Sequence, residues 1–241
     1  MNQPIETVLF DFGGTLDADG VAWKERFHKL YCAEGLDLAA DAFAPSFYAA
    51  DSPLVGSLPS TTNLSQTVRA LTSNLEVILS RRCTENNETG KINVQGDSDR
   101  GQRVASRFLS DASAAFARNQ PVLKALSEHY HLGIVSNFYG NLEAVCDCAG
   151  LAPLFAVMVD SHCVGVEKPD PAIFRAALEA LGAKPETTVF VGDSLRRDRE
   201  GARRTGMRFI WIAPQEVQAA EGQTRIEPAV TELRGLMKIL R

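Results

Sequence analysis

In the second half of the chain, short apolar runs alternate with stretches whose apolar residues recur every three or four positions. The runs "LGIVSN" (132–137), "FAVMVDS" (155–161), "TTVFVGD" (187–193) and "RFIWIA" (208–213) have the length and β-branched or aromatic content of buried strands. Between them, "PVLKALSEHY" (121–130), "NLEAVCDCAG" (141–150), "DPAIFRAALEALG" (170–182) and "RRDREGARRTG" (196–206) read as helices, and the tail "EPAVTELRGLMKILR" (227–241) as a closing helix. Such alternation predicts an α/β fold, a doubly wound parallel sheet covered by helices on both faces. "PIETVLF" (4–10) is one more strand of the same kind, about a hundred residues upstream of the others.

The sheet is therefore expected to be split by an insertion. Residues 19–119 read almost wholly helical, through "VAWKERFHKLYCAEG", "DAFAPSFYAAD", "SQTVRALTSNLEVILSRRC" and "RVASRFLSDASAAFARN". Leu64, Val68, Leu71, Leu75, Ile78 and Leu79 fall on one face at helical spacing. The polar stretch "TENNETGKINVQGDSDRG" (84–101) reads as a mobile loop. The expected organisation is a core of residues 1–18 plus 120–241 and an inserted α-helical cap domain of residues 19–119. The aromatics Trp23, Phe27, Tyr31, Phe43 and Phe47 are expected to fill the cap's own core.

With 241 residues and 45% apolar content, the chain can bury one sizeable core. Its apolar runs fall far short of the roughly 20 residues of a membrane helix, so no membrane association is expected. A net charge of −5 offers no basic stripe for nucleic acid. "MNQPIETVLF" lacks the features of an export signal, and five scattered cysteines without paired spacing read as reduced thiols, not a zinc site. A cytoplasmic protein is expected. Its oligomeric state is not readable from the sequence.

Each predicted strand ends in a reactive group. Asp11 follows "VLF", and Ser136 and Asn137 follow "GIV". Lys168 lies in the loop after "AVMVD"; Asp193 follows "VFVG", with Asp198 five residues later. In an open parallel sheet these ends share one edge, where ligands gather. The set suits a phosphoryl group and a divalent cation, since Asp11 and Asp193 offer hard oxygens for Mg2+. Lys168 balances charge. Ser136, the Asn137 backbone and the amides after Asp11 can donate to phosphoryl oxygens.

The ordered set D-x-x-G-T-L, S-N, K-P and G-D-S-x-x-x-D-x-x-G-A resembles the haloacid dehalogenase (HAD) superfamily, in its magnesium-dependent phosphatase branch, over about residues 8–212. The resemblance implies a Rossmann-like core, a helical cap after the first motif and a small phosphorylated substrate. By the same resemblance Asp11 attacks phosphorus to give an aspartyl-phosphate that water hydrolyses. Asp11, the Gly13 carbonyl and Asp193 hold Mg2+, while Thr15 and Ser136 contact the phosphate. Lys168 orients Asp11, and Asp198 supports the metal shell or Lys168.

The chain departs from the family pattern at Gly13, where family phosphatases usually carry a second aspartate as general acid. Such help is worth about 10² to 10⁴ in rate. Its loss leaves good leaving groups, such as acyl or aryl phosphates, as workable substrates, and on this reading Gly13→Asp raises turnover of alkyl phosphates. Asp17 and Asp19 read as turn or capping residues, and His28 as a cap residue able to swing in. Arg26, Arg81, Arg82, Arg103 and Arg107 are candidate anion contacts. Two rival classes share these residues: a dehalogenase or phosphonate hydrolase, and a non-catalytic module that binds a phospho-ligand or protein on the same scaffold.

Overall fold

The computed structural model describes residues 3–87, 99–220 and 228–240. Six parallel strands form one sheet: β1 (Thr7–Phe10), β2 (His131–Ser136), β3 (Val157–Asp160), β4 (Thr188–Gly192), β5 (Arg208–Ile212) and β6 (Ala229–Val230). Their order is β3-β2-β1-β4-β5-β6. After β1 the chain winds outward through β2 and β3, then returns to place β4 on the other side of β1. The point of reversal, where doubly wound sheets bind ligands, lies between β1 and β4.

Both faces of the sheet are buried, and the strands alternate between two cores. Val8 and Phe10 of β1, Ile134 of β2 and Val189 and Val191 of β4 join one core with the cap. Leu9, Val135 and Phe190 point into the other, against Ile173, Phe174 and Ala202. This period-two alternation within unbroken apolar runs is what a doubly covered parallel sheet requires.

Between β1 and β2 lie α1 (Trp23–Ala33), α2 (Ala40–Asp51), α3 (Leu64–Asn87) and α4 (Arg100–Ser127). The insertion is thus helical, as the pattern predicts. Phe27 and Phe108 stack at 4.5 Å between ring centroids, and Tyr31, Phe43 and Phe47 are buried beside them. The core's helices are α5 (Leu142–Cys148), α6 (Ser161–Val164), α7 (Pro171–Leu181), α8 (Glu200–Thr205), α9 (Gln215–Ala220) and α10 (Leu236–Ile239). Among the described residues no helix is long and apolar enough to cross a membrane.

The structure differs from the predicted elements in three places. The helices expected to end at 119 and begin at 121 are one continuous helix, α4, with Pro121 inside it. Proline forfeits one helical hydrogen bond, but Phe116, Asn119, Leu123 and Leu126 are buried on either side of it and hold the axis together. The tail is not one helix; it opens as β6, because Trp211 and Ala213 donate their amides to the carbonyls of Pro228 and Val230 and so recruit it to the free edge of β5. The stretch 84–101 lies largely on residues 88–98, outside the described residues, while its first four residues extend α3 and Arg100 opens α4.

Loop 138–142, just past β2, is where the cap meets the core. Tyr139 donates its hydroxyl to Asp51 of α2 and accepts the Gly56 amide on its carbonyl. Asn141 donates to the Thr62 carbonyl (2.7 Å) and the Thr67 hydroxyl (2.8 Å). On the core side, Asp160 accepts the amides of Gly140 and Leu142.

Candidate active site

The segments at the ends of four strands, β1 to β4, deliver one buried polar cluster. The Lys168 ammonium donates to Asp11 Oδ1 at 2.6 Å and to Asp198 Oδ1 at 2.7 Å. Ser136 Oγ donates to the same Asp11 oxygen at 3.0 Å. Lys168, Asp198 and Ser136 are each no more than 4% exposed. Both of these contacts fall on Asp11 Oδ1, and Oδ2 makes no hydrogen bond among the described residues.

Each of these positions is fixed by backbone geometry. The Asp11 amide donates to the Val191 carbonyl of β4, so the carboxylate leaves the sheet at the reversal point. Gly14 has φ of +92°, and a Cβ there would lie 2.7 Å from Asp193 Oδ2; only glycine lets the turn after Asp11 pass that close. Asn137 grips the Lys168 loop with both ends of its side-chain amide, accepting the Lys168 amide (2.7 Å) and donating to the Lys168 carbonyl (3.2 Å). Expected as a phosphate contact through its backbone, Asn137 also serves as the clamp that aims Lys168. Thr15 is fully buried, with its hydroxyl 3.5 Å from Asp193 Oδ1.

Asp11, Asp193 and Asp198 bring ligand oxygens within 4.8 Å of one another. Against three carboxylates stands one ammonium, and the imbalance marks their acidities. Burial, with the charges of Asp11 and Asp198 added, pushes the Asp193 carboxyl well above the usual range. Burial raises Asp198 to about 6 despite the opposing pull of Lys168. Burial also works against the charge on Lys168, but Asp11 and Asp198 outweigh it and hold the ammonium above its ordinary value. A dense set of hard oxygens with more negative charge than the one ammonium balances fits a divalent cation. Asp198 is the least available donor, because its two oxygens already accept from Lys168 and from the Ser194 amide (2.9 Å).

The remaining candidates lie elsewhere. Asp17 is 1% exposed and saturated: it accepts from the Gly14 amide (2.7 Å), Trp23 Nε1 (2.8 Å) and Arg26 (2.6 Å). It is the turn residue expected from sequence, and it also fixes Trp23, whose proximity to Gly13 the sequence pattern does not reveal. Asp17→Ala is expected to cost about 2–3 kcal/mol, read by urea unfolding, because it strands a buried guanidinium and two N–H donors. Asp19 pairs with Arg118 at 2.6 Å, and His28 Nε2 lies 2.7 Å from the Leu38 carbonyl within the cap. Among the candidate anion contacts, Arg26 is bound to Asp17, Arg82 to the Ala42 carbonyl and Ser46, and Arg103 and Arg107 to Glu34.

A doubly wound sheet that gathers a buried carboxylate, an ammonium and further acids at its reversal point, beside an inserted set of helices, is the architecture of a capped α/β hydrolase. The family model for haloacid dehalogenase-like hydrolases matches residues 5–206, and the chain belongs to that family. A phosphoserine phosphatase of Thermus thermophilus is 47% identical over 64 residues, 27% of this chain and 26% of that protein. The haloacid dehalogenase-like hydrolase domain-containing protein 3 of Bos taurus is 36% identical over 101 residues, 42% of this chain and 37% of that protein. The chain thus spans well under two thirds of the length of these relatives. Among solved structures, a dehalogenase with an intermediate complex superposes with a TM-score of 0.62 at 17% identity, covering 100% of this chain and 99% of that one. A magnesium-bound putative HAD-hydrolase of Bacillus subtilis gives 0.57 at 20% identity, covering 99% of both chains. Both likenesses concern the fold.

Proposed function

We propose that the protein is a Mg2+-dependent phosphatase acting on a small phosphorylated metabolite through an aspartyl-phosphate. The observation that carries this reading is the Lys168 ammonium bridging Asp11 and Asp198, with Asp193 in the same cluster. The free Oδ2 of Asp11 attacks phosphorus, and the bond to the leaving oxygen breaks with its electron pair on that oxygen. Water then attacks the aspartyl-phosphate, restores the carboxylate and releases inorganic phosphate. Lys168 neutralises Asp11 enough to admit a dianionic ester and keeps its attacking oxygen in place. Ser136 and Thr15 donate to phosphoryl oxygens. Asp11, the Gly13 carbonyl and Asp193 would hold Mg2+, which offsets phosphoryl charge, and Asp198 serves mainly by anchoring Lys168.

The acidic pair Asp193 and Asp198 favours this chemistry over dehalogenation, which requires no metal. The relatives named as phosphatases point the same way. The test is a screen of phosphorylated metabolites with Mg2+ or with EDTA, run beside Asp11→Asn. Phosphate release that needs both the cation and Asp11 is the expected result. Binding of a phosphate ester with none consumed over hours would replace the enzyme with a binding module, and halide release from chloroacetate without Mg2+ would replace it with a dehalogenase.

A further inference from the structure

At Gly13, a Cβ would meet Trp23 Nε1 at 3.3 Å and Trp23 Cδ1 at 3.5 Å. The indole of α1 therefore crowds the place of a Cβ on residue 13, which would need it to give by a few tenths of an ångström. It is held in place: Asp17 accepts from Nε1 at 2.8 Å, and Phe27, Phe108, Phe138 and Tyr139 surround the ring at 5.1–6.2 Å between centroids. Trp23 thus stands between the turn after Asp11 and loop 138–142 after Ser136, on the cap side of the cluster.

Most protonatable groups around that wall are engaged; the exception is Asp19, whose Oδ1 is buried without a hydrogen-bond partner among the described residues. Asp17 carries three donors and pairs with Arg26, the other oxygen of Asp19 is paired with Arg118, and Asp51 accepts the Tyr139 hydroxyl. Lys168 already gives two of its protons to carboxylates. The described residues thus supply an attacking oxygen and an anion-holding frame, while residue 13 carries no side chain and Trp23 crowds the place of one.

We propose, building on the phosphatase reading, that Trp23 is a specificity-determining residue: by crowding the place of a side chain on residue 13 it restricts the site to phosphates whose leaving oxygen departs unprotonated, the acyl and aryl phosphates. In the first step the Asp11–phosphorus bond forms as the bond from phosphorus to the leaving oxygen breaks, and the group leaves as a carboxylate, which stays ionised, or as a phenolate, which is then protonated by solvent. In the second, water attacks phosphorus and restores the Asp11 carboxylate; its oxygen and one proton remain in the released hydrogen phosphate, and its other proton passes to solvent. The same wall makes Gly13 and Trp23 a coupled pair, so aspartate cannot be restored at 13 without making room.

The experiment measures kcat/KM of the Mg2+-loaded protein for acetyl phosphate and for aryl phosphates of graded leaving-group pKa. A fall of roughly tenfold per unit of leaving-group pKa is expected, where an acid-assisted site gives a shallow dependence. A shallow series with turnover still lost in Asp11→Asn overturns the inference alone. If Asp51→Asn then steepens that series, the acid is Asp51. Equal and negligible turnover by the wild type and Asp11→Asn on every substrate instead overturns the phosphatase reading beneath it. Gly13→Asp alone is expected to change alkyl-phosphate turnover by less than about threefold, whereas Gly13→Asp in a Trp23→Leu background is expected to gain about 10²-fold or more over Trp23→Leu. A large gain from Gly13→Asp alone, or none in the folded double variant, contradicts the coupling. Should the double variant fail to fold, the wild-type series still decides.

Discussion

Lys168→Met is expected to abolish phosphate release and to lower the stability of the metal-free protein by about 3–5 kcal/mol, the usual penalty for removing one partner of a buried ion pair. The side chain is 2% exposed and touches two carboxylates with a third close by. Without it three buried acids face one another with no internal cation. The pH dependence follows from the sign of the shifts. Asp198 is raised to about 6, and Asp193 is raised also, chiefly by burial. A carboxyl whose pKa is higher folded than unfolded holds its extra proton between those two values, so stability falls as pH rises through that window. Urea unfolding in EDTA should therefore show the wild type losing stability from about pH 4 through about pH 6, with a steeper loss in Lys168→Met. Mg2+ should reverse much of it. A penalty equal at pH 4.5 and pH 7.5 would show that the lysine acts by packing, not charge.

Asp11→Asn is expected to separate function from stability. Turnover should fall by about 10⁴-fold or more, because an amide does not form the phospho-enzyme. The metal-free fold should hold or gain slightly, since one of three crowded carboxylates disappears while Lys168 keeps Asp198 as partner. Thermal unfolding with and without Mg2+ reads the second half of this expectation: the stabilisation conferred by the cation should shrink, because a ligand that binds only the folded state stabilises it in proportion to its affinity. A variant that unfolds readily in EDTA would mean that Asp11 props up the site instead of straining it.

Much of this site is legible in the linear chain because each participant sits at the carboxyl end of a strand, and a parallel sheet has only one such edge. Asp11, Ser136, Lys168 and Asp198 meet for that reason. The contribution of the Asn137 side chain was not legible, because a clamp on a loop 31 residues away leaves no periodic trace. Trp23 was hidden in another way: its spacing fits the apolar face of α1, and only three-dimensional proximity shows that the indole rests on Gly13. The cap's arginines read as anion contacts by charge alone, whereas their partners Asp17, Glu34 and Ser46 lie on neighbouring segments. At the tail, local helix propensity lost to the unpaired edge of β5, a non-local demand for backbone partners.

The unbroken course of α4 bears on how the cap is joined to the sheet. Two strands of chain join cap to sheet: one is the turn stapled by Asp17, the other a 28-residue helix that enters β2 a few residues after it ends. Neither is slack. The carbonyl of Ala117 has no helical donor, because Pro121 lacks an N–H, and Asn119 beside it is tied to the Leu16 carbonyl. The cap is thus tied to β2, which carries Ser136, by one continuous helix weakened at a single backbone rung beside Pro121.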